Sequence, residues 1–133
     1  MLCRPYPTGE AFRKTAYYEH FQSLLCCKEL EQLLEQQDYR LVFYPHIEMQ
    51  KESRRFESGS DRITIASKET QDVQKLLMDC ALLVTDYSSV FFDVAFLRKP
   101  VVYYQFDEEE FRKYHYQKGY FDFRRDGFGP VCT

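Results

Sequence analysis

One group of residues in this chain has the types and spacing for phosphate chemistry, and two more stand where they could meet a ligand. Thr85-Asp86-Tyr87-Ser88-Ser89 sets two adjacent serine hydroxyls and a carboxylate between one apolar run and a second, Val90 to Leu97, broken only by Asp93. A helix opening near Ser88 would leave its first amides unpaired and carry partial positive charge there, which suits a phosphate; Ser88 and Ser89 would add hydroxyl donors. Asp86 would repel a phosphate, so it reads, with Thr85, as a cap or turn former. Asp93 lies four residues past Ser89 on the same expected helix face, placed to accept from a ligand hydroxyl or to orient Ser89. A carboxylate inside a buried helix would need a partner. Ordinary N-cap chemistry explains the same hydroxyl cluster. The second group is Pro45-His46, where an imidazole follows an X-Pro turn and can meet a ligand as a donor, although a lone histidine is more often structural. The third is Ala66-Ser67. His20 reads as structural and His115 as a surface residue.

These residues need strands and helices to hold them. Short apolar runs predict strands at 39–45, 62–66, 81–86 and 100–106, with Pro100 tolerable as a first residue. Helical spacing of Tyr18, Phe21, Leu24, Leu25, Leu30, Leu33 and Leu34 predicts one amphipathic helix from Thr15 to Gln37. Further helices are expected over 69–80, 88–97 and 107–119, the last opening with acids and closing with bases and Gly119. Residues 1–15, 51–61 and 118–130 read as irregular or loop segments. Arg124-Arg125 in the last could touch phosphate but fits a solvated pair better. Strands alternating with helices, three of them continuous apolar runs, predict an α/β fold whose parallel sheet carries helices on both faces. Ligands of such sheets bind beyond the carboxyl ends of the strands, which is where His46, Ala66-Ser67, Asp86 to Ser89 and Gln105 to Asp107 all fall.

A length of 133 residues suits one compact domain and is short for a complete two-domain enzyme. Aromatic content of 17% excludes a disordered chain, and a net charge of −3 gives no general affinity for nucleic acid. Five cysteines without a CxxC pair or ligand spacing argue against a disulfide framework and fit a reducing cytoplasm. No apolar run reaches the roughly 20 residues of a membrane span, and the first ten residues lack a secretory core. Glu108 to Glu110 are consecutive and splay around a helix, so no protein-bound metal is expected; no cofactor is expected either.

Taken together, "FYPHIEMQ" (43–50), "IASKETQDVQKLL" (65–77), "TDYSSVFFDVAFLRKPVVYYQFDEEEFR" (85–112) and "KGYFDFRRDGFGP" (118–130) resemble the CDP-glycerol:poly(glycerophosphate) glycerophosphotransferase family, the teichoic acid polymerases and their relatives. The likeness covers nearly the whole chain in order, and "FRKTAYYEHFQSLL" (12–25) resembles the helix before the first block. It implies a GT-B glycosyltransferase-like fold, with residues 1–133 as its C-terminal, Rossmann-like donor-nucleotide-binding domain, the N-terminal acceptor domain and the last helices lying outside. It also implies that Pro45 and His46 lie near the donor pyrophosphate, that Ala66 and Ser67 face the cytidine nucleotide, and that Ser88, Ser89 and Asp93 bind donor. His46 is the implied catalytic residue.

The implied reaction is attack by the terminal hydroxyl of a polyol-phosphate chain on the distal phosphorus of CDP-glycerol, with release of CMP. A second histidine, the family's general base, has no match here, so the isolated chain is expected to turn over nothing by itself. The expected partners are CDP-glycerol, the polyol-phosphate acceptor and the N-terminal domain. The expected location is cytoplasmic, with the parent enzyme peripheral at the inner membrane face. Rival readings are a nucleotide-binding remnant without activity, and a transferase using CDP-ribitol or a nucleotide sugar.

Overall fold

A computed structural model of the chain describes residues 7–108 and 121–133. The helix expected over 107–119, with His115, therefore lies almost entirely outside the described residues, as do Cys3 and residues 118–120. The chain divides into two compact units, the first ending at Gln71 and the second covering Asp72–Thr133.

In the first unit a 3₁₀ helix, Gly9–Lys14, replaces the expected irregular start because Phe12, fully buried, anchors it in the core. Thr15 caps α1 (Ala16–Leu25) by accepting the Tyr18 amide at 3.2 Å. The single helix expected from Thr15 to Gln37 is two, because α1 stops at Leu25 and α2 runs over Lys28–Gln36. The break has a tertiary cause. Gly59 donates its amide to the Leu25 carbonyl at 3.1 Å, while Gln22 bonds both the Glu57 amide and the Glu57 carbonyl at 2.9 Å. That loop takes the end of α1, and a Cβ on Gly59 would come within 3.1 Å of the Cys26 Cα. β1 (Leu41–Phe43) and β2 (Ile63–Ile65) pair in parallel with Leu41 opposite Ile63. Between them a second 3₁₀ helix, Ile47–Arg55, occupies half of what was expected as loop, held by buried Met49 and by Phe56 packed edge-on to Phe12 and Phe43.

The second unit holds α3 (Val73–Asp79), β3 (Leu83–Thr85), α4 (Phe91–Phe96), β4 (Val101–Tyr104), α5 (Phe123–Asp126) and β5 (Val131–Cys132). β3, β4 and β5 form a parallel sheet with β4 in the middle, and β5 is a strand that the Gly- and Pro-rich tail concealed. Phe91, Val94, Val101 and Tyr103 form its core, with Phe121, Phe123 and Val131 packed around them.

The expected parallel α/β character is present, distributed over two small sheets instead of one continuous sheet. Each sheet closes on its own apolar cluster. Val42 and Val84, central in β1 and β3, stay 39% and 47% exposed, so the double covering that their apolar sequence suggested does not reach these positions.

Candidate functional site

In the first unit β1 and β2 finish side by side. The Ala66 amide donates to the Phe43 carbonyl at 2.9 Å as the last rung, after which Tyr44-Pro45-His46 leaves one strand and Ser67-Lys68 the other. Pro45 is fully buried and His46 is exposed, so the proline seats the turn and the imidazole projects from it. The Met49 amide closes that turn on the His46 carbonyl at 2.7 Å. Ala66 is buried to 1% exposure with its amide engaged by Phe43, so it seats the turn and Ser67 is the residue that reaches outward. Ser67 opens a turn of its own: its carbonyl accepts from the Thr70 and Gln71 amides at 3.0 and 2.9 Å, and its amide donates to Thr70 Oγ1 at 2.9 Å. Buried Gln50 joins the two loops, donating from Nε2 to the Pro45 carbonyl and accepting the Lys68 amide on Oε1 at 3.0 Å.

In the second unit the turn after β3 differs from the expected helix start. α4 begins at Phe91, three residues later than expected, and Ser88-Ser89-Val90 is a turn leading into it. Asp86 is the reason: its Oδ1 accepts the Ser88 amide at 3.1 Å, a local side-chain bond that competes with helical pairing. The carboxylate that would repel a phosphate is thereby engaged with the backbone, as the turn-forming reading required, and the Ser88 amide is engaged with it. The donors left to a ligand at this turn are chiefly the hydroxyls of half-buried Ser88 and exposed Ser89. Asp93 lies in the first turn of α4 and is exposed, so the expectation of a buried carboxylate demanding a partner is corrected: the six-residue helix turns this side to solvent. Ser89 precedes the helix, so the shared helical face does not exist either.

Gln105, buried after β4, donates its amide to the Cys132 carbonyl at 2.8 Å and its Nε2 to the Asp86 carbonyl at 3.5 Å, tying the β3 turn to the β4 end. The Tyr87 ring stands edge-on to Phe123, centroids 5.9 Å apart. Burial pushes its phenol well above the ordinary value, and the carboxylates of Asp107, Glu108 and Asp86 push it further in the same direction. Arg124 and Arg125 are exposed, and Arg125 is engaged with the Asp126 carboxylate, which favours the solvated reading of that pair. Within each unit, therefore, the sequence-derived residues meet at strand carboxyl ends: Pro45, His46, Ala66 and Ser67 in the first, Ser88 and Ser89 in the second. Sequence reasoning missed the part played by Gln50, since a glutamine in a polar stretch gives no signal of burial. Gln105 was visible only as one of the residues at a strand end.

Fold and loops together define the class as a parallel α/β protein with hydroxyl, amide and imidazole groups at its strand ends, the edge where ligands of such folds bind. The family is narrower. Residues 7–133 match the CDP-Glycerol:Poly(glycerophosphate) glycerophosphotransferase family, and the chain belongs to it. It is 31% identical over 128 residues to the minor teichoic acid biosynthesis protein GgaB of Bacillus subtilis (strain 168), a match covering 96% of this chain and 13% of that protein. It is 43% identical over 61 residues to a teichoic acid poly(glycerol phosphate) polymerase of the same strain, covering 46% of this chain and 8% of the polymerase. A teichoic acid poly(ribitol-phosphate) polymerase of Bacillus spizizenii (strain ATCC 23059 / NRRL B-14472 / W23) shares 39% over 54 residues, covering 40% of this chain and 9% of that one. The chain thus spans a small fraction of the length of these curated relatives. No solved structure matches it. Among the described residues no helix is long and apolar enough to cross a membrane.

Proposed function

We propose that this chain is the donor-binding part of a transferase that moves glycerol phosphate from CDP-glycerol onto a polyol-phosphate chain, in a GT-B enzyme whose C-terminal, Rossmann-like domain it forms. Family membership over residues 7–133 supports the reaction class. The observation that carries the site is the turn after β3, where Asp86 is folded back onto the Ser88 amide and two serine hydroxyls remain at a strand end. In this reading Ser88 and Ser89 donate to the donor's phosphate oxygens, His46 donates to the phosphoryl group under attack, and Ser67, held in place by buried Ala66, borders the nucleoside. Asp93, exposed on α4, accepts from a hydroxyl of the donor.

The acceptor's terminal hydroxyl attacks the distal phosphorus of CDP-glycerol, and the bond from that phosphorus to the bridging oxygen breaks. CMP leaves with the electron pair. The hydroxyl proton passes to a base supplied from outside this chain. Catalysis of this type rests on in-line positioning and on donors aimed where charge develops, so loss of one donor should cost about 100-fold in kcat. Similarity to a ribitol-phosphate polymerase supports CDP-ribitol as a second reading of the donor. The parent protein is proposed to work in the cytoplasm, peripheral to the membrane.

The test is thermal shift and turnover in the protein that carries this segment in full. CDP-glycerol should raise the Tm and UDP-glucose should not; His46→Ala and Ser88→Ala should each abolish the shift. A shift that survives both substitutions would remove these residues from the site.

A further inference from the structure

Gln50 is 8% exposed, yet both ends of its amide are used on the backbone of other loops. Nε2 donates to the carbonyl of Pro45, the residue before His46, and Oε1 accepts from the amide of Lys68, the residue after Ser67. Neither partner can exchange roles, since a carbonyl only accepts and an amide N–H only donates. The bridge therefore requires a neutral side chain with a donor and an acceptor at one tip. Asparagine has the same groups on a shorter stem, glutamate lacks the donor, and lysine or arginine lacks the acceptor. Neighbouring bonds reinforce the clamp: Met49 closes the His46 turn at 2.7 Å, and Thr70 closes the Ser67 turn at 3.0 Å. We infer that Gln50 is a positioning residue for donor binding, one side chain setting the spacing between the loop that presents His46 and the loop that presents Ser67. This rests on the proposed reading of those two residues as donor contacts.

The experiment compares wild type, Gln50→Met and Gln50→Glu in the protein that carries this segment in full, measuring kcat and KM for CDP-glycerol alongside Tm. Gln50→Met keeps the length and removes both bonds. Loss of folded protein alone lowers apparent kcat and leaves KM untouched, whereas displaced loops raise KM, by about tenfold or more. Gln50→Glu keeps the acceptor for Lys68 and turns a charged oxygen toward the Pro45 carbonyl. Protonation restores the donor, so its KM relative to wild type should fall back toward unity as pH drops from about 8 to about 5.5, burial having raised the new carboxyl. An unchanged KM in Gln50→Met beside an active wild type overturns the role of Gln50 and leaves the site reading intact. If Gln50→Met does not fold, a KM ratio for Gln50→Glu that is flat with pH overturns it instead. A wild type that neither binds nor turns over CDP-glycerol overturns the functional reading first, and the positioning role with it.

Discussion

Tyr87 stands one residue before the paired serines with its hydroxyl enclosed, and that position dictates a pH dependence. Burial and the carboxylates of Asp107 and Glu108 raise its pKa, so the folded state favours the protonated phenol more than the unfolded chain does. Stability from this group is fully present below the usual phenol value of about 10 and is lost as pH rises through the raised one. Tyr103 and Tyr104 shift in the same direction through burial. A plot of Tm against pH should therefore fall above about pH 10, and Tyr87→Phe should make that fall shallower without abolishing it; an identical slope would mean that Tyr87 is not the group responsible. At this scale the sequence was legible where chemistry is local. Asp86 as turn former and Arg124-Arg125 as a solvated pair follow from residue type and neighbours. Asp93 and Gln50 did not, because burial depends on which side of an element meets a core, and a short helix such as α4 shows too few turns for its pattern to fix that side.

Elements were legible by type and less so by extent. β1 to β4, α3 and α4 all form within the expected segments, each shorter than the segment expected for it. Tertiary contacts set the ends: the Glu57-to-Gly59 loop stops α1, and Asp86 delays α4. Nothing in the local sequence announces a partner 31 to 35 residues away. The tail shows the same principle in reverse, since its glycines read as loop and yet serve a helix and a strand. Asp122 caps α5 by accepting the Arg124 and Arg125 amides at 2.9 and 3.2 Å, and its own amide donates to Asp126 at 2.9 Å. The Arg125 side chain, then the Asp122 amide, hold the Asp126 carboxyl down to about 2, so whatever this bond adds to stability is present above the normal carboxylate range and lost as pH falls toward that value. Asp122→Ala should cost about 1 kcal/mol by chemical denaturation. Gly129→Ala should cost more, about 2–3 kcal/mol, because a Cβ there would overlap the Val101 carbonyl and push the tail off β4, where the Pro130 carbonyl accepts the Tyr103 amide at 2.8 Å. An alanine variant with wild-type stability would show that β5 does not press on β4.

Over the whole molecule, class and family were legible, because both rest on the order of several motifs and not on any one side chain. The division into two sheets was not, since pairing joins segments that sequence presents only in succession. Burial decides what each of the twelve phenylalanines contributes, and two of them make the contrast testable. Phe12 is fully buried against Tyr17, Tyr18 and Phe56, although it lies in a segment that reads as irregular. Phe96 lies in the apolar run from Val90 to Leu97 and is 87% exposed. Truncating Phe12 leaves a cavity that the surrounding rings cannot fill, at a cost of about 3–5 kcal/mol, enough to unfold a marginal domain. Truncating Phe96 removes surface that water already touches, and should change stability by no more than about 0.5 kcal/mol. Thermal melts of Phe12→Ala and Phe96→Ala measure both at once. If Phe96→Ala loses as much as Phe12→Ala, the face of α4 that carries Phe96 is covered in the protein as it exists, and Phe96 is core as Phe91 and Val94 are.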